Sequence, residues 1–532
     1  MIRHLIFIGL LFLINHPVTY SQKLDYIRGK VIDSKTSHPL PYATVQLKNS
    51  QVGVISNAEG DFRILNNVGF QSDSLIVSCI GFHRLSVAFS KLKISEMNNL
   101  KLVPNIYVLN EFKVTARKKR LSPETIIARA LRNIKKNNPA VPFSYISYYR
   151  DYLKDSSNYL NLNESIVQTL DKGFAYPSDS NRYRLLDFKK NMDFLRINIT
   201  PNYDLPETDH SDAWFKRIPH ARIGDQYGNE LFILLVHDAI RNFDKRSFSF
   251  VDTLTHNFIR NHKFSDPVGV YEGITFLYRI DFTVNRNMTG DSIQMKGAIF
   301  IEPNDYSIHK LEYSASFSNL EKKNKEIFNI ETEYGHVPAV NSKMCLKYIS
   351  FNNSFTIPDS TDNDFFKILR TVWKQPGGPY FQKIDMEIIA YFNRDIDPLS
   401  GSRIGNYALT IGKRKAKITK VEVNGPKLYI TVRDDKFKYK ELDSCSLNIQ
   451  NLKDINGKVL NKRRDLEFRQ FRELFVQEYN KPLEVQNNCF IQSMPLELNC
   501  ISISNNSGRF WMNTPLKAEE KQQDLLDRIN LE

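Results

Sequence analysis

Cysteine is scarce in this sequence, and the spacing of the few cysteines excludes several architectures. The 532 residues include five cysteines, with no CxxC pair and no spacing that suits a metal centre. A disulfide scaffold is therefore not expected. Cys489 and Cys500 are close enough in sequence to bridge a short loop in an oxidising compartment. The odd count nevertheless favours buried free thiols for most of the cysteines. The five are Cys79, Cys345, Cys445, Cys489 and Cys500.

The compact motifs by which many enzymes are recognised are also missing. The sequence has no HExxH signature, no GxSxG elbow, no GxxxxGK[ST] loop and no GxGxxG turn. We therefore predict that the protein is not an enzyme and needs no cofactor, and we nominate no catalytic, cofactor-binding or metal-binding residue. The isolated histidines are interpreted as surface or satisfied structural groups, for example His210, His220, His237 and His309.

Carboxylates are the residues from which a hydrolase could be built without a recognisable motif. Alternate positions along a strand place Glu331 and Glu333 on one face, as a glycosidase pair would require. Glu302 and Asp305 are further candidates of this kind. Because such pairs are common on solvated sheet faces, a cryptic hydrolase is kept only as the last of three hypotheses.

Long apolar runs are absent beyond the first residues, which read as a secretory signal. Arg3 and His4 precede an apolar run over residues 5–14, and Pro17 helps to end it before the length of a membrane anchor is reached. Cleavage is expected after Ser21. No cysteine near that point would accept a lipid, so we predict an exported protein of the periplasm or the outer membrane and cell surface.

Positive charge is in excess but is not concentrated. The formal net charge is +14, and the densest basic clusters, at residues 117–120, 413–417 and 462–464, are short. None carries the interleaved aromatic residues that stack on bases, so no nucleic-acid partner is predicted. Solvated linkers or turns are favoured for these clusters, and a peripheral contact with an anionic membrane or glycan stays open.

Aromatic and aliphatic residues are plentiful enough for several β-rich cores. Hydrophobic residues make up 41% and aromatic residues 12% of the chain, and its length predicts about three domains. From Tyr26 onwards, short runs rich in Val, Ile and Phe alternate with turn residues, which predicts a β-sandwich. Gly60 and Gly81 suit turns with positive φ. Inward-facing core positions are expected at Val45, Phe62 and Val77.

The segment "GKVIDSKTSHPLPYATVQLKNSQVGVISNAEGDFRI", followed by "DSLIVSCIGFHRLSV", resembles the carboxypeptidase-regulatory-like domain of Bacteroidetes envelope proteins. The resemblance implies a seven-stranded sandwich that accompanies transporters, peptidases and surface proteins as an accessory and has no activity of its own. The positions that match the family pattern are Gly29, Asp33, Pro39, Leu40, Ala43, Val45, Ser56, Gly60, Phe62, Ile80, Gly81 and Phe82.

The segment that follows, "LNEFKVTARK", resembles the link between such a domain and the plug of TonB-dependent receptors. An outer-membrane-associated transport or assembly component is therefore the second hypothesis. A complete receptor of that kind is not expected, because about 22 membrane strands and a plug need more than the roughly 410 residues that remain.

The middle of the chain reads as a helix followed by long strands. Ser122 and Pro123 begin a helix that ends near Asn137, and "FSYISYYRDYL" then predicts an amphipathic strand rich in tyrosine. Residues 268–316 predict successive antiparallel strands and resemble the curved sheet of periplasmic lipoprotein carriers. The order of helix, tyrosine-rich strand and sheet also resembles an uncharacterised Bacteroidetes family in which the regulatory-like domain comes first.

The last part of the chain alternates in polarity again, with turn dipeptides at residues 424–425 and 456–457. The segment "LNIQNLKDINGKVL" resembles bacterial Ig-like modules. Residues 468–479 are predicted as a helix with Phe471, Leu474 and Phe475 on one face.

These patterns predict a mainly β protein with an N-terminal seven-stranded regulatory-like sandwich, a central antiparallel curved sheet with a few helices, and a C-terminal Ig-like sandwich. The expected function is non-catalytic binding or structural support in the cell envelope, with a protein, glycan or lipid as the partner. The predicted divisions are a signal peptide at 1–21, the sandwich at 22–115, a helical linker at 116–142, the central domain at 143–400, the Ig-like sandwich at 405–465, and a helix with a C-terminal tail at 466–532.

Overall fold

A computed structural model describes residues 26–49, 53–57, 59–66, 68–94, 96–107, 121–155, 158–191, 194–197, 229–245, 253–285, 293–318, 325–359, 361–374, 385–433 and 444–480. Several predictions lie outside these residues: the signal peptide, the basic cluster at 117–120, the pair Cys489 and Cys500, and two of the isolated histidines, His210 and His220.

Strands dominate the described residues. The strands of the first module are β1 Tyr26–Asp33, β2 Thr44–Leu47, β3 Gly53–Ile55, β4 Asp61–Leu65, β5 Ser74–Ser78, β6 Leu85–Ala88 and β7 Met97–Leu102. The strands that follow up to residue 358 are β8 Ile106–Tyr107, β9 Phe143–Lys154, β10 Tyr159–Asp171, β11 Arg182–Lys190, β12 His262–Phe264, β13 Val268–Glu272, β14 Thr275–Val284, β15 Ile293–Ile301, β16 Ile308–Phe317, β17 Glu326–Val337 and β18 Lys343–Pro358.

The remaining elements complete the chain order. The later strands are β19 Ile368–Lys374, β20 Asp385–Phe392, β21 Tyr407–Ile411, β22 Arg414–Asn424, β23 Lys427–Arg433, β24 Cys445–Ile449 and β25 Asp465–Asn480. The α-helices among the described residues are α1 Pro123–Asn137, α2 Asn229–Val236, α3 His256–Asn261 and α4 Pro398–Gly401.

The first module is the predicted seven-stranded sandwich. A three-stranded sheet in the order β4-β1-β7 faces a four-stranded sheet in the order β3-β2-β5-β6, and their inner faces share one core. Val45, Phe62 and Val77 are almost completely buried in that core, as predicted. Gly60 and Gly81 have φ values of 76° and 87°, which confirms the turns that require positive φ.

Helix α1 begins and ends where its sequence predicts. The Ser122 side chain accepts a hydrogen bond from the Thr125 amide at the N-terminus, and Pro123 occupies the first turn. The apolar face that recurs at helical spacing is buried in the main hydrophobic core; its residues are Ile126, Ile127, Ala130, Leu131 and Ile134. Helices α2 and α3 contribute Leu234 and Phe258 to the same core.

The central sheet is curled and has twelve strands. Its order along one path is β11-β10-β9-β25-β18-β17-β16-β15-β14-β13-β8, with β12 paired to β14. Residues 268–316, predicted as successive antiparallel strands, form β13 to β16, and each strand pairs with the next in antiparallel register. The sequence therefore predicted the central meander correctly.

The tyrosine-rich segment forms strand β9, as predicted, but the strand is not amphipathic. Every residue from Phe143 to Leu153 is buried, so both faces of the strand are covered. Tyr145 and Tyr149 lie in the main hydrophobic core, whereas Tyr148 packs against Ile166 in a separate cluster. Tyrosine suits such positions because its ring fills a core while its hydroxyl group finds a polar partner.

The predicted helix at residues 468–479 is wrong, because these residues belong to strand β25. This strand pairs with β9 on one side and β18 on the other. Phe471, Leu474 and Phe475 recur at helical spacing, but Phe471 and Phe475 lie in clusters other than the one that contains Leu474. A strand buried on both faces carries apolar residues at nearly every position, and its periodicity then resembles that of a helix.

A second compact unit comprises residues 356–467, a continuous insertion in the sequence between β18 and β25. It has a six-stranded sheet in the order β19-β20-β23-β22-β21-β24. The first part of β22 pairs with β21 and the later part with β23, and both parts of the sheet contribute to one core. The unit includes strands β19 and β20, which lie within the central domain that the sequence analysis predicted at 143–400.

Candidate functional site

Strands β14 to β17 present a continuous polar face that is defined by their register. Because the strands are antiparallel and in register, side chains on this face form rows across the sheet. The first row is Thr283, Lys296, Ser314 and Asn329. The second row is Asp281, Ala298, Glu312 and Glu331. The first row offers hydrogen-bond donors and acceptors, and the second row offers three carboxylates, so the two rows together can bind a ligand that both donates and accepts.

A groove of about 670 Å³ lies over these two rows. Pro41 and Tyr42 of the sandwich form part of its wall, and basic residues Lys263 and Arg279 line it together with the strand residues. Between the two rows, Gly297 leaves room for the Phe282 ring on the opposite, core-facing side of the sheet, because a Cβ atom there would clash with that ring and with the Glu312 carbonyl oxygen. The volume is within the range typical of small-molecule sites.

The sandwich contacts the curled sheet at two places that hold the wall of the groove. In the first, the rings of Tyr42 and Tyr348 lie 5.5 Å apart, and the Asn352 side-chain amide donates to the Tyr42 hydroxyl oxygen at 3.4 Å. In the second, the Gly81 amide donates to the carbonyl oxygen of Tyr271 at 3.2 Å. These contacts place Pro41 and Tyr42 beside the polar face.

Polar contacts from the loop between β3 and β4 of the sandwich add a third attachment. Glu59 forms an ion pair with Lys154 and accepts a hydrogen bond from the Tyr159 hydroxyl group at 2.5 Å. The Asn57 amide donates to the same hydroxyl oxygen at 3.1 Å. Burial opposes ionisation of Glu59, but Lys154 and Tyr159 outweigh it and lower the pKa of the carboxyl group.

Next to the groove, one lysine is surrounded by three glutamates, and we call these four residues the lysine cluster. The Lys310 ammonium group lies 3.0 Å from Glu312 and 3.2 Å from Glu333, and it also pairs with Glu331. Lys310 is 5% exposed. Glu312 and Glu331 also line the groove, so the cluster forms part of the wall of the site.

The charges of the lysine cluster do not balance if all four groups are ionised. Burial opposes the charge on Lys310, but the carboxylates raise the pKa of its ammonium group well above the usual range. Burial raises the pKa of Glu331 to about 8, against the attraction of Lys310, and it also raises the pKa of Glu333. Glu331 is therefore the carboxyl group of the cluster that holds a proton near neutral pH.

A second set of titratable residues lies at the end of strands β15 to β17, and we call Glu272, Glu302, His309 and His336 the histidine cluster. The Nδ1 atom of His309 lies 2.8 Å from Glu272 Oε2, and its Nε2 atom lies 3.2 Å from Glu302 Oε2. The Nε2 atom of His336 lies 3.6 Å from the same Glu302 oxygen. One ligand atom from each of Glu302, His309 and His336 lies within 4.8 Å of the others.

Helix α1 holds the two turns that carry this cluster. The side chains of Asn133 and Asn137 each donate to the carbonyl oxygen of Asp305 at 3.1 Å, within the turn between β15 and β16. The Asn138 side chain donates to the carbonyl oxygen of Met344 at 2.8 Å, next to the turn between β17 and β18. The second turn includes Ser342, whose carbonyl oxygen lies 2.9 Å from His336 Nδ1.

Burial opposes protonation of His309, but its hydrogen bonds to Glu272 and Glu302 outweigh this effect and raise its pKa to about 8. The hydrogen bond from His309 is the main cause of the lowered pKa of Glu302. For Glu272, burial acts in the opposite direction, but His309 and Lys347 together lower the pKa.

The carboxylates considered in the sequence are placed in these two clusters. Glu331 and Glu333 do share one face, as predicted, and both contact Lys310. Glu302 belongs to the histidine cluster, and Asp305 Oδ2 lies 3.9 Å from His336 Nε2. His237 is a satisfied structural group, since its Nδ1 atom lies 2.6 Å from the Ile233 carbonyl oxygen and its ring stacks on Phe351.

The sequence did not reveal Lys310 as the partner of the glutamates, and it did not reveal that His309 and His336 lie close together. The two histidines are separated by a hairpin whose register cannot be counted from the sequence, and His309 was interpreted as isolated. One available signal was the HxxE spacing of His309 and Glu312. On a strand, however, positions three apart point to opposite faces, and Glu312 in fact contacts Lys310.

Across the described residues, no helix is both long enough and apolar enough to span a membrane.

Comparison with known proteins identifies the first module. Residues 27–114 match the family model of the CarboxypepD_reg-like domain, which confirms the resemblance and the sandwich. No curated protein matches the chain. One solved structure that aligns with this chain is described as a "putative membrane-associated protein of unknown function" from Bacteroides fragilis NCTC 9343. The alignment covers 86% of this chain and 98% of that chain, at 9% sequence identity and a TM-score of 0.12. A likeness at that score carries no argument about fold or function.

Proposed function

We propose that this chain is a non-catalytic binding protein of the cell envelope, and that the groove between the sandwich and the curled sheet holds a segment of glycan. The observation that carries the proposal is the pair of register-matched polar rows on the floor of a groove of about 670 Å³. The CarboxypepD_reg-like module supplies one wall of that groove.

The chemistry of the lining favours a glycan over the other partners that the sequence allows. Sugar hydroxyl groups both donate and accept hydrogen bonds, and the rows offer a lysine, an asparagine, two hydroxyl groups and three carboxylates. A phospholipid would need a continuous apolar wall for its acyl chains, and the rows do not provide one. Basic and acidic residues are mixed along the groove, which also disfavours a strongly charged polymer.

The proposal is tested with the full mature chain and three defined probes. These are a hexamer of N-acetylglucosamine, vesicles of phosphatidylethanolamine and phosphatidylglycerol, and an unstructured peptide of mixed charge. We expect saturable binding of the hexamer by calorimetry. Lys296→Ala combined with Asn329→Ala should weaken that binding at least tenfold, because both residues belong to the first row.

The matched control is Lys101→Ala, an exposed lysine on strand β7 of the sandwich that does not line the groove. It should leave hexamer binding unchanged. Binding of the vesicles or of the peptide alone would overturn the glycan assignment, as would hexamer binding that is insensitive to the first-row variants.

The contacts of Glu331 and Glu333 support the non-catalytic part of the proposal. A glycosidase pair has one carboxyl group as acid and the other as base or nucleophile, each facing the substrate from its own side. Here both side chains point at the same ammonium group of Lys310. We infer that they position strands β16 and β17 and shape the groove.

We further propose export to the periplasm or the outer-membrane surface, on the basis of the apolar N-terminal run and the accessory module. Fractionation of the native cells, with protease added to intact and lysed samples, tests this. Release as a soluble periplasmic protein, or from membranes by a salt wash, is expected. A requirement for detergent would favour the alternative, an outer-membrane-associated transport or assembly component related to TonB-dependent systems.

A further inference from the structure

We propose that Glu302, His309 and His336 form a binding site for a Zn²⁺ ion, with one carboxylate oxygen and two Nε2 atoms as ligands. This inference does not depend on the proposed glycan groove. It rests on the direction of the hydrogen bonds around the two imidazole rings and on the separations of the three ligand atoms.

The hydrogen bonds at Nδ1 direct the Nε2 atom of each ring towards Glu302. The Ser342 carbonyl oxygen can only accept, so the proton of His336 in this hydrogen bond is on Nδ1. Glu272 accepts from Nδ1 of His309 in the same way. In the neutral form of each ring, the Nε2 atom then carries a lone pair, which is the form that binds a metal.

The three potential ligand atoms meet at one place. The Nε2 atoms of His309 and His336 lie 3.2 Å and 3.6 Å from the same Glu302 oxygen. A proton on His309 Nε2 can bridge to Glu302, and a zinc ion would take the place of that proton. Zinc bonds of about 2.0–2.1 Å in tetrahedral geometry separate the ligands by about 3.3–3.4 Å. The two separations from the Glu302 oxygen are close to that value, and the three ligand atoms lie within 4.8 Å of one another.

The surrounding contacts are those that a metal site uses to orient its ligands. A carboxylate behind one histidine and a backbone carbonyl oxygen behind the other fix the imidazole rings. The Asn304 amide donates to the second oxygen of Glu302 at 3.2 Å. The fourth position is open to water or to Asp305, and His336 and Asp305 are partly exposed, which provides a path for the ion.

A proton shared by His309 and Glu302 is the competing explanation. It accounts for the separation of 3.2 Å between those two side chains. It does not account for His336, whose Nε2 atom points at the same oxygen from 3.6 Å, beyond hydrogen-bonding distance. Two imidazoles with one carboxylate also suit zinc better than magnesium or calcium, which prefer oxygen ligands alone.

The test uses the full mature chain after removal of metals with a chelator. Zinc affinity is measured at pH 7 by competition with a chromophoric chelator, and bound metal is counted by mass spectrometry. We expect one zinc ion per chain. His336→Ala and Glu302→Gln should each weaken binding at least tenfold, and Glu272→Gln should weaken it by roughly 10–100-fold through the orientation of His309.

The matched control is His256→Ala, an exposed histidine at the start of helix α3 that lies outside the cluster. It should leave the affinity unchanged. Because His336 is 41% exposed, its replacement should not disturb folding, and circular dichroism of each variant checks this. The spectrum of the Co²⁺-loaded protein should lack a thiolate charge-transfer band.

Three results would overturn the inference. The first is no zinc bound at micromolar concentration. The second is binding that His336→Ala and Glu302→Gln both leave unchanged. The third is a thiolate band in the cobalt spectrum, which would assign the metal to a cysteine.

Discussion

Replacing Arg150 with methionine is expected to destabilise the curled sheet by about 3–5 kcal/mol, the usual cost of leaving a buried charge without its partner. Arg150 is 1% exposed, and its Nε atom donates to Glu473 at 2.5 Å. In the variant, Glu473 keeps the hydrogen bond from the Tyr152 hydroxyl group at 3.1 Å but loses its ion pair. The remaining carboxylate is then buried without a compensating charge.

The double variant Arg150→Met with Glu473→Leu should recover most of the lost stability, because apolar residues of similar volume can replace a buried ion pair at little cost. Hydrogen exchange of the β9 and β25 amides in the full chain measures the opening free energy of these strands. Lys93→Met is the control, since the ion pair of Lys93 with Glu96 is exposed and should be worth less than about 1 kcal/mol. A double variant as unstable as the single one would contradict the explanation.

Replacing Lys310 with methionine is expected to destabilise the same sheet by about 3–5 kcal/mol at pH 8, because three glutamates lose their common cation. The effect should depend on pH. Loss of the ammonium group raises the pKa values of Glu331 and Glu333 further above their ordinary range, beyond the effect of burial.

The sign of the pH dependence follows from linkage. A carboxyl group whose folded-state pKa lies above its unfolded value contributes stability that is complete below the unfolded pKa, about 4.3 for glutamate. That contribution is lost as the pH rises through the folded pKa. With Lys310 present, Glu331 already has a pKa of about 8, so its share of the Lys310→Met penalty is nearly the same at pH 5 and at pH 8. The pKa of Glu333 is also raised, and its further rise in the variant should make the penalty larger at pH 8 than at pH 5.

Hydrogen exchange of strands β16 and β17 at pH 5 and pH 8, corrected for the intrinsic exchange rate, measures this difference. Lys296→Met is the matched control, because Lys296 is exposed on the neighbouring strand and makes no contact with the lysine cluster in the described ion pairs. Its effect should stay within about 0.5 kcal/mol at both values of pH. An equal penalty for Lys310→Met at pH 5 and pH 8 would contradict the role of Glu333.

The sequence predicted those parts of the fold that depend on local patterns. Helix α1, several strands of the sandwich and the meander from β13 to β16 follow from capping residues, turn residues and alternation, whereas the number of seven strands followed from the family resemblance. Strand β25 was missed for a physical reason. Its neighbours, β9 and β18, are distant in sequence, and a strand buried on both faces lacks the alternation of period two by which strands are recognised.

The candidate sites depend on register across strands, which the sequence does not reveal. Glu331 and Glu333 could be placed on one face from their spacing alone. Their partner Lys310 could not be identified, because its position opposite Glu333 is set by the whole β16–β17 pairing. His309 and His336 meet for the same reason. The groups that orient them are the Glu272 side chain at the end of β13 and the Ser342 carbonyl oxygen in the turn after β17.

The position of β25 also constrains the order in which the chain can fold. Strand β9 pairs with a partner more than 300 residues later in the sequence, with Arg150 opposite Glu473. Until that partner has been synthesised, the edges of β9 and β18 that β25 will cover remain exposed to intermolecular pairing. Such non-local pairing makes slow assembly of the sheet the expected behaviour. A chain that emerges from a ribosome or a translocon N-terminus first would therefore need these edges to be shielded until β25 has emerged.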